Sequence, residues 1–204
     1  MQTRNSRRVK LKAVYIALCL LLSGLLSGCA GSGKPYVVAL NGVEILPGET
    51  TVQELSDLGF ELSDLSGRQM VRDEEGNTTF VYANVYDLTS EAEAMTVYPG
   101  IDLLKEGEKI ASLSIANDTK SNISLLKCKI VTVTVYADCY DCEKVEVEGV
   151  AFPSLSAETL AEALSKPKTD TDSKTEWRRG DYTLEVEYEG GEVSSLRSSY
   201  PGIY

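Results

Sequence analysis

Apolar and polar positions alternate with a period of two along much of this chain. Val37-Val38-Ala39-Leu40 meets Asn41-Gly42 and resumes as Val43-Glu44-Ile45-Leu46 before Pro47-Gly48, the pattern of a β-hairpin closed by a two-residue turn. The period then changes. Val52, Leu55 and Leu58 recur at helical spacing, Thr50 or Thr51 stands ready as an N-cap, Glu54 lies three residues after Thr51, and Gly59 follows; a short amphipathic helix with a capping box is predicted. After a polar stretch that ends in the turn Asp73-Glu74-Glu75-Gly76-Asn77, the run Thr78 to Tyr86 has strand composition.

Alternation returns from Glu108 to Ala116, with Ile110, Leu113 and Ile115 inward, and a polar turn leads to the β-branched run Ile130 to Tyr136. These two segments are predicted to pair. Val145 to Val150 alternates again, and Ser156 heads a second predicted helix with Leu160, Ala161 and Leu164 on one side, stopped by Pro167. Strands are predicted near Glu176 to Arg179, Tyr182 to Tyr188 and Val193 to Tyr200, the last two joined across Gly190-Gly191. Trp177, beside Arg178 and Arg179, is expected to pack within its sheet rather than to stand out as a stacking platform.

Two passages echo each other. Val38-Ala39-Leu40-Asn41-Gly42-Val43 and its helix match Val145-Glu146-Val147-Glu148-Gly149-Val150 and its helix in kind and order, and Tyr98-Pro99-Gly100-Ile101 recurs as Tyr200-Pro201-Gly202-Ile203. The expectation is an internal duplication: an α+β fold of two similar units, residues 37–118 and 119–204, each a short helix packed on an antiparallel sheet.

The N-terminus reads differently. Arg4, Arg7, Arg8, Lys10 and Lys12 precede the apolar run Ala13 to Leu22, and small residues loosen the chain around Ser23-Gly24 and Ser27-Gly28. That is the order of a secretory signal peptide, with an apolar run short of the roughly 20 residues that a spanning helix needs. Leu26-Ser27-Gly28-Cys29 resembles the lipobox of bacterial lipoproteins. The resemblance implies cleavage between Gly28 and Cys29, lipid on the Cys29 thiol, and display on the extracytoplasmic face of the cell membrane. Residues 1–28 are then the signal peptide, and 29–36 the lipidated cysteine with a flexible tether.

Charge narrows the partners. Residues 29–204 keep 15 of the 20 basic residues and all 31 acidic ones, a formal charge of −16. So acidic a chain disfavours nucleic acid and anionic membrane surfaces as ligands and favours solubility or a cationic partner. The chain has no histidine, which removes Ser-His-Asp and Cys-His nucleophile systems and most catalytic zinc sites. It carries no phosphate-binding or dinucleotide-binding glycine motif. Glu185 and Glu187 share one face of a predicted strand, a pattern that suits a carboxylate-dependent hydrolase but more simply a solvated surface. Asp73 to Asn77 and Asp170 to Asp172 are oxygen-rich turns that depart from the EF-hand order; no cofactor is expected.

Cys128, Cys139 and Cys142 remain in the exported part, where disulfides are permitted. Cys128 can bridge to either Cys139 or Cys142, and Cys139-Tyr140-Asp141-Cys142 also has the C-x-x-C spacing of redox and metal sites, without a second pair or a histidine. The series Ile123-Ser124-Leu125-Leu126-Lys127-Cys128-Lys129-Ile130, Val147 to Phe152, Ser156 to Leu164 and Tyr182 to Ser198 resembles uncharacterised lipoproteins of gut Firmicutes. It is also similar, more distantly, to helix-on-sheet modules of the β-lactamase-inhibitor type. The latter resemblance implies protein binding, and a non-enzymatic protein- or envelope-binding module is expected. The alternatives are a carboxylate-dependent envelope hydrolase and a redox or metal module at Cys139 and Cys142.

Overall fold

The computed structural model describes residues 33–63, 68–72, 78–82 and 87–202, with 68–72 and 78–82 described as backbone. Gly28 and Cys29 lie outside the described residues, as does the turn Asp73 to Asn77. Among the described residues the strands are β1 Val38–Leu40, β2 Val43–Ile45, β3 Glu61–Ser63, β4 Arg68–Arg72, β5 Thr78–Tyr82, β6 Glu91–Ala92, β7 Thr96–Lys105 and β8 Glu108–Asn117. They continue as β9 Ile123–Ser124, β10 Lys129–Tyr136, β11 Val145–Val147, β12 Val150–Ala151, β13 Thr169–Thr171, β14 Lys174–Arg179, β15 Tyr182–Glu189 and β16 Glu192–Ser199. Among the described residues one α-helix, α1, covers Val52–Asp57.

The fold is therefore mostly β, with several sheets, and not the expected α+β pair of helix-on-sheet units. The first predicted helix forms: Thr51 caps it, its hydroxyl accepting from the Glu54 N–H while Glu54 Oε2 accepts from the Thr51 N–H at 2.7 Å, a reciprocal box worth about 1 kcal/mol. The second does not. Ser156 to Leu164 folds as successive turns, in which the N–H groups of Leu160 and Leu164 donate to Ser156 and Leu160 while those of Ala161 and Ala163 reach back only three residues. Between Ser156 and Leu164 the buried side chains are Leu160 and Leu164. That is too little packing to offset the cost of nucleating a regular helix so short.

β1 and β2 form the predicted hairpin, with Asn41 and Gly42 both at positive φ, as the tight turn matched to strand twist requires. β11 and β12 form its counterpart across Glu148 and Gly149, again both at positive φ. The two hairpins lie side by side in a four-stranded sheet of order β12-β11-β1-β2. Their contact pairs Val38 with Val147, Ala39 with Glu146 and Leu40 with Val145. Val38, Ala39 and Leu40 correspond in the repeat to Val145, Glu146 and Val147, so equivalent residues exchange across a local twofold axis.

The second sheet has eight strands in the order β13-β14-β15-β16-β10-β8-β7-β3. β8 and β10 pair antiparallel, as their alternation predicts, and β15 and β16 form the C-terminal hairpin. Register sorts its two faces. Val186 and Val135 flank Leu196 in one cross-strand row on the apolar face. One residue along, Glu176, Glu185, Arg197, Thr134, Ser112, Asp102 and Ser63 align in a single polar row across seven strands. The apolar face merges with Val38, Leu40 and Ile45 of the small sheet, Val52 and Leu55 of α1, and Leu160 in one core.

Gly33–Tyr204 form one compact unit. β8 and β10, which flank the expected boundary at 118/119, are hydrogen-bonded neighbours, and so are β1 and β11. The two halves are thus interleaved through both sheets. The Tyr-Pro-Gly-Ile copies occupy different settings: Tyr98 lies in β7 ahead of an irregularity in its pairing, whereas Tyr200 follows β16, donates its N–H to the Val131 carbonyl and stacks on Tyr182 with ring centroids 5.0 Å apart.

A candidate binding cleft at the cysteine loop

Three turns that are distant in sequence converge at one end of the molecule. They are Asn41-Gly42 between β1 and β2, Lys105-Glu106 at the β7 to β8 turn, and the loop that follows β10 and carries Cys139 to Lys144. Backbone bonds hold the arrangement: the Asn41 N–H donates to the Lys144 carbonyl at 3.2 Å and the Tyr140 N–H to the Lys109 carbonyl at 3.0 Å. Between them lies a cleft of about 660 Å³ that also reaches Glu143 and Glu146.

The cysteines shape the third wall. Cys139 and Cys142 are joined as a disulfide, while Cys128 is a free thiol buried in the core, so Cys128 bridges to neither. Joined in this way, the two sulfurs of the C-x-x-C segment are not thiolate ligands for a metal. The bridge closes a loop of only three intervening bonds along the sequence, which on chain entropy alone stabilises little. Its local consequence is a tight loop that turns Tyr140 outward, 47 % exposed, and places Asp141 at a φ of 56°. Tyr136, on the adjoining end of β10, is 45 % exposed, with the Lys109 ammonium 5.8 Å from its ring centre.

The charges of the cleft are unevenly satisfied. Lys144 donates to Asp141 Oδ2 at 2.6 Å, and that bond, reinforced by the carboxylate's charge, raises the lysine above its ordinary range. Lys105 gives its ammonium to the Leu58 carbonyl at 2.7 Å and lies 4.7 Å from the centre of the Phe60 ring. Both cations are thereby engaged. Glu106, Glu143 and Glu146 make no ion pair among the described residues. Asn41 Oδ1, beneath the surface, is buried without a donor, an omission that costs about 1–3 kcal/mol.

The other carboxylates singled out by sequence are placed elsewhere. Glu185 is paired with Lys174 and Glu187 accepts from Ser195 Oγ, both on the polar face of the large sheet. Asp170 accepts from Thr175, and among the described residues no three carboxylates or cysteines gather in a group that could hold a metal. No protein-family model, curated protein or solved structure matches the chain. No residue role is inherited from a relative, and assignment rests on geometry.

Sequence reasoning singled out the cysteine loop for its spacing but missed Asn41, Glu106, Glu143 and Glu146. The available signal was the recurrence of Xaa-Gly turns, in which Glu106, unlike the asparagine or glycine favoured there, occupies positive φ.

Burial pushes the Cys128 thiol up to about 11, with the nearby Asp118 carboxylate adding to the effect. A thiol with a raised pKa stays protonated and unreactive below it. In the native chain at about pH 8, Cys128 is therefore expected to resist iodoacetamide, and to react once urea unfolds the protein and restores an ordinary thiol near 8.5. Peptide mapping measures this; rapid alkylation of Cys128 in the native state would contradict its burial.

Proposed function

We propose that this protein is a lipid-anchored, extracytoplasmic binding module without enzymatic activity, and that the cleft at the cysteine loop receives a cationic, hydrogen-bond-donating group of a protein or envelope component. The location rests on the signal-peptide pattern and on Leu26-Ser27-Gly28-Cys29. The binding role rests on one observation above all: the cleft gathers Glu106, Glu143 and Glu146, three carboxylates outside any ion pair among the described residues, beside the exposed ring of Tyr140. An ammonium or guanidinium group supplies the positive charge these carboxylates lack, and tyrosine is a frequent anchor of protein interfaces.

A photo-crosslinking amino acid at position 140 of the full chain, in cells that make it, tests this reading. A discrete crosslinked partner is expected at position 140, weakened by combined Glu143→Gln and Glu146→Gln substitution, and absent when the crosslinker replaces the exposed Lys120, which follows β8 at the opposite end of that strand from Lys109, the residue bonded to Tyr140. Equal labelling at positions 140 and 120 would count against the cleft as the binding site.

A further inference from the structure

The local twofold that relates the two hairpins breaks at their outer edges. In a hairpin closed by a two-residue turn, the closing pair, here Leu40 and Val43, exchanges both hydrogen bonds, and the next pair exchanges none. Ala39 follows this rule and turns its N–H and C=O to Glu146 of β11. Glu44, opposite Ala39, must turn its own N–H and C=O to the free edge of β2, where no described group meets them. Ala151 holds the equivalent place on β12, but the chain there runs directly into the 3-10 turn Phe152–Ser154, which packs against β16 and the 3-10 turn Cys142–Lys144. On β12 the strand ends at that place, whereas on β2 the backbone groups of Glu44 stay open.

Beside the open edge runs a groove of about 460 Å³ between β2 and α1. Val43, Leu46, Leu55 and Leu58 supply apolar lining, and Leu58 is 51 % exposed at the end of the helix. Glu44 and Asp57 supply negative charge. An open strand edge next to an apolar channel beside a helix is the geometry in which an extended peptide adds as a further strand, with backbone bonds giving affinity and alternate side chains giving specificity. Charge selects the occupant. A second copy pairing through β2 about Glu44 would set Glu44 against Glu44, and like charges directly opposite are destabilising. A lysine or arginine opposite Glu44 is favoured by the same term, and the chain's strong negative charge steers such a segment inward.

We infer that the β2 edge and the α1 groove dock an extended protein segment in which basic and apolar residues alternate, the apolar ones entering between Val43 and Leu58 and a basic one facing Glu44. This surface adjoins the cysteine-loop cleft through Gly42-Val43 and the Lys105–Leu58 hydrogen bond but shares no lining residue with it, and its test does not depend on what the cleft holds.

The test uses the full-length chain in detergent micelles and a capped octapeptide of alternating lysine and valine, with an alternating glutamate and valine peptide beside it. Binding is followed by fluorescence anisotropy and by backbone amide shifts. The expected result is saturable binding of the lysine peptide alone, with shifts concentrated at Val43 to Leu46 and Leu55 to Leu58. Glu44→Lys should weaken it about tenfold, since it turns a favourable cross-strand pair into a repulsive one. Glu192→Lys changes net charge by the same amount on the β15 to β16 turn, which lines neither the groove nor the β2 edge, and should leave binding within about twofold. The Glu44→Gln variant, which keeps the strand without reversing its charge, should fall between. Equal weakening by Glu44→Lys and Glu192→Lys, shifts confined to other surfaces, or no binding of the lysine peptide would each overturn the proposal.

Discussion

Replacing Trp177 by alanine should destabilise the fold by roughly 3–5 kcal/mol, the range for removing a large aromatic side chain from a packed core. Trp177 is 1 % exposed and heads the largest fully buried side chains. It lies on β14 directly across from Leu184, which in turn faces Ser198, so its removal opens a void beneath three strands of the large sheet. Because this is the chain's one tryptophan, urea unfolding has to be followed by far-ultraviolet circular dichroism rather than by indole fluorescence. A loss below about 1 kcal/mol would mean that Trp177 is a surface group, and would revive the stacking role that its neighbours Arg178 and Arg179 first suggest.

The second large effect is electrostatic. Asp102 sits in the polar row of the same sheet with its side chain 1 % exposed; Oδ1 takes the Lys109 ammonium at 2.7 Å and the Ser112 hydroxyl at 2.9 Å, while Oδ2 has no partner. The carboxylate depends on one cation. Lys109→Met should cost about 3 kcal/mol, the low end of the range for breaking a buried pair, because a quarter of the Lys109 side chain meets solvent. Adding Asp102→Asn in the same chain should recover most of that loss, since the damage lies in the stranded charge and not in the missing contact. Denaturation of the two single variants and the double variant gives the coupling directly. Simple additivity of the single losses would show that the pair does not act as a unit.

The local features of this fold are written in short segments. The Asn41-Gly42 turn, the Thr51 and Glu54 capping box, the β8 and β10 alternation and the Gly190-Gly191 hairpin each depend on residues close in sequence, and each is present. The segment from Ser156 to Leu164 carries the same helical spacing as Val52 to Leu58, yet it stays a run of turns, because periodicity reports which face is apolar and not how much partner surface awaits it. The two passages that echo each other in sequence form hairpins that pair through β1 and β11, but not two helix-on-sheet units, and β1 with β11 and β8 with β10 join the halves at long range. The cleft has the same difficulty. Asn41, Glu106 and Tyr140 come together only through the sheet order, and no local pattern links them. Cys139 and Cys142 drew attention by spacing alone, whereas the partner choice between them and Cys128 is decided by where β10 and the 3-10 turn Leu125–Lys127 place each sulfur.

A membrane-anchored binding module requires that the chain begin, after export, at Cys29. Mass spectrometry of the N-terminal peptide from protein purified out of a bacterial envelope tests this most directly. The account predicts a peptide that starts at Cys29 with an acylated thiol, and loss of the protein from the membrane fraction in the Cys29→Ser variant. A chain that retains residues 1–28 and carries a free Cys29 thiol would contradict it.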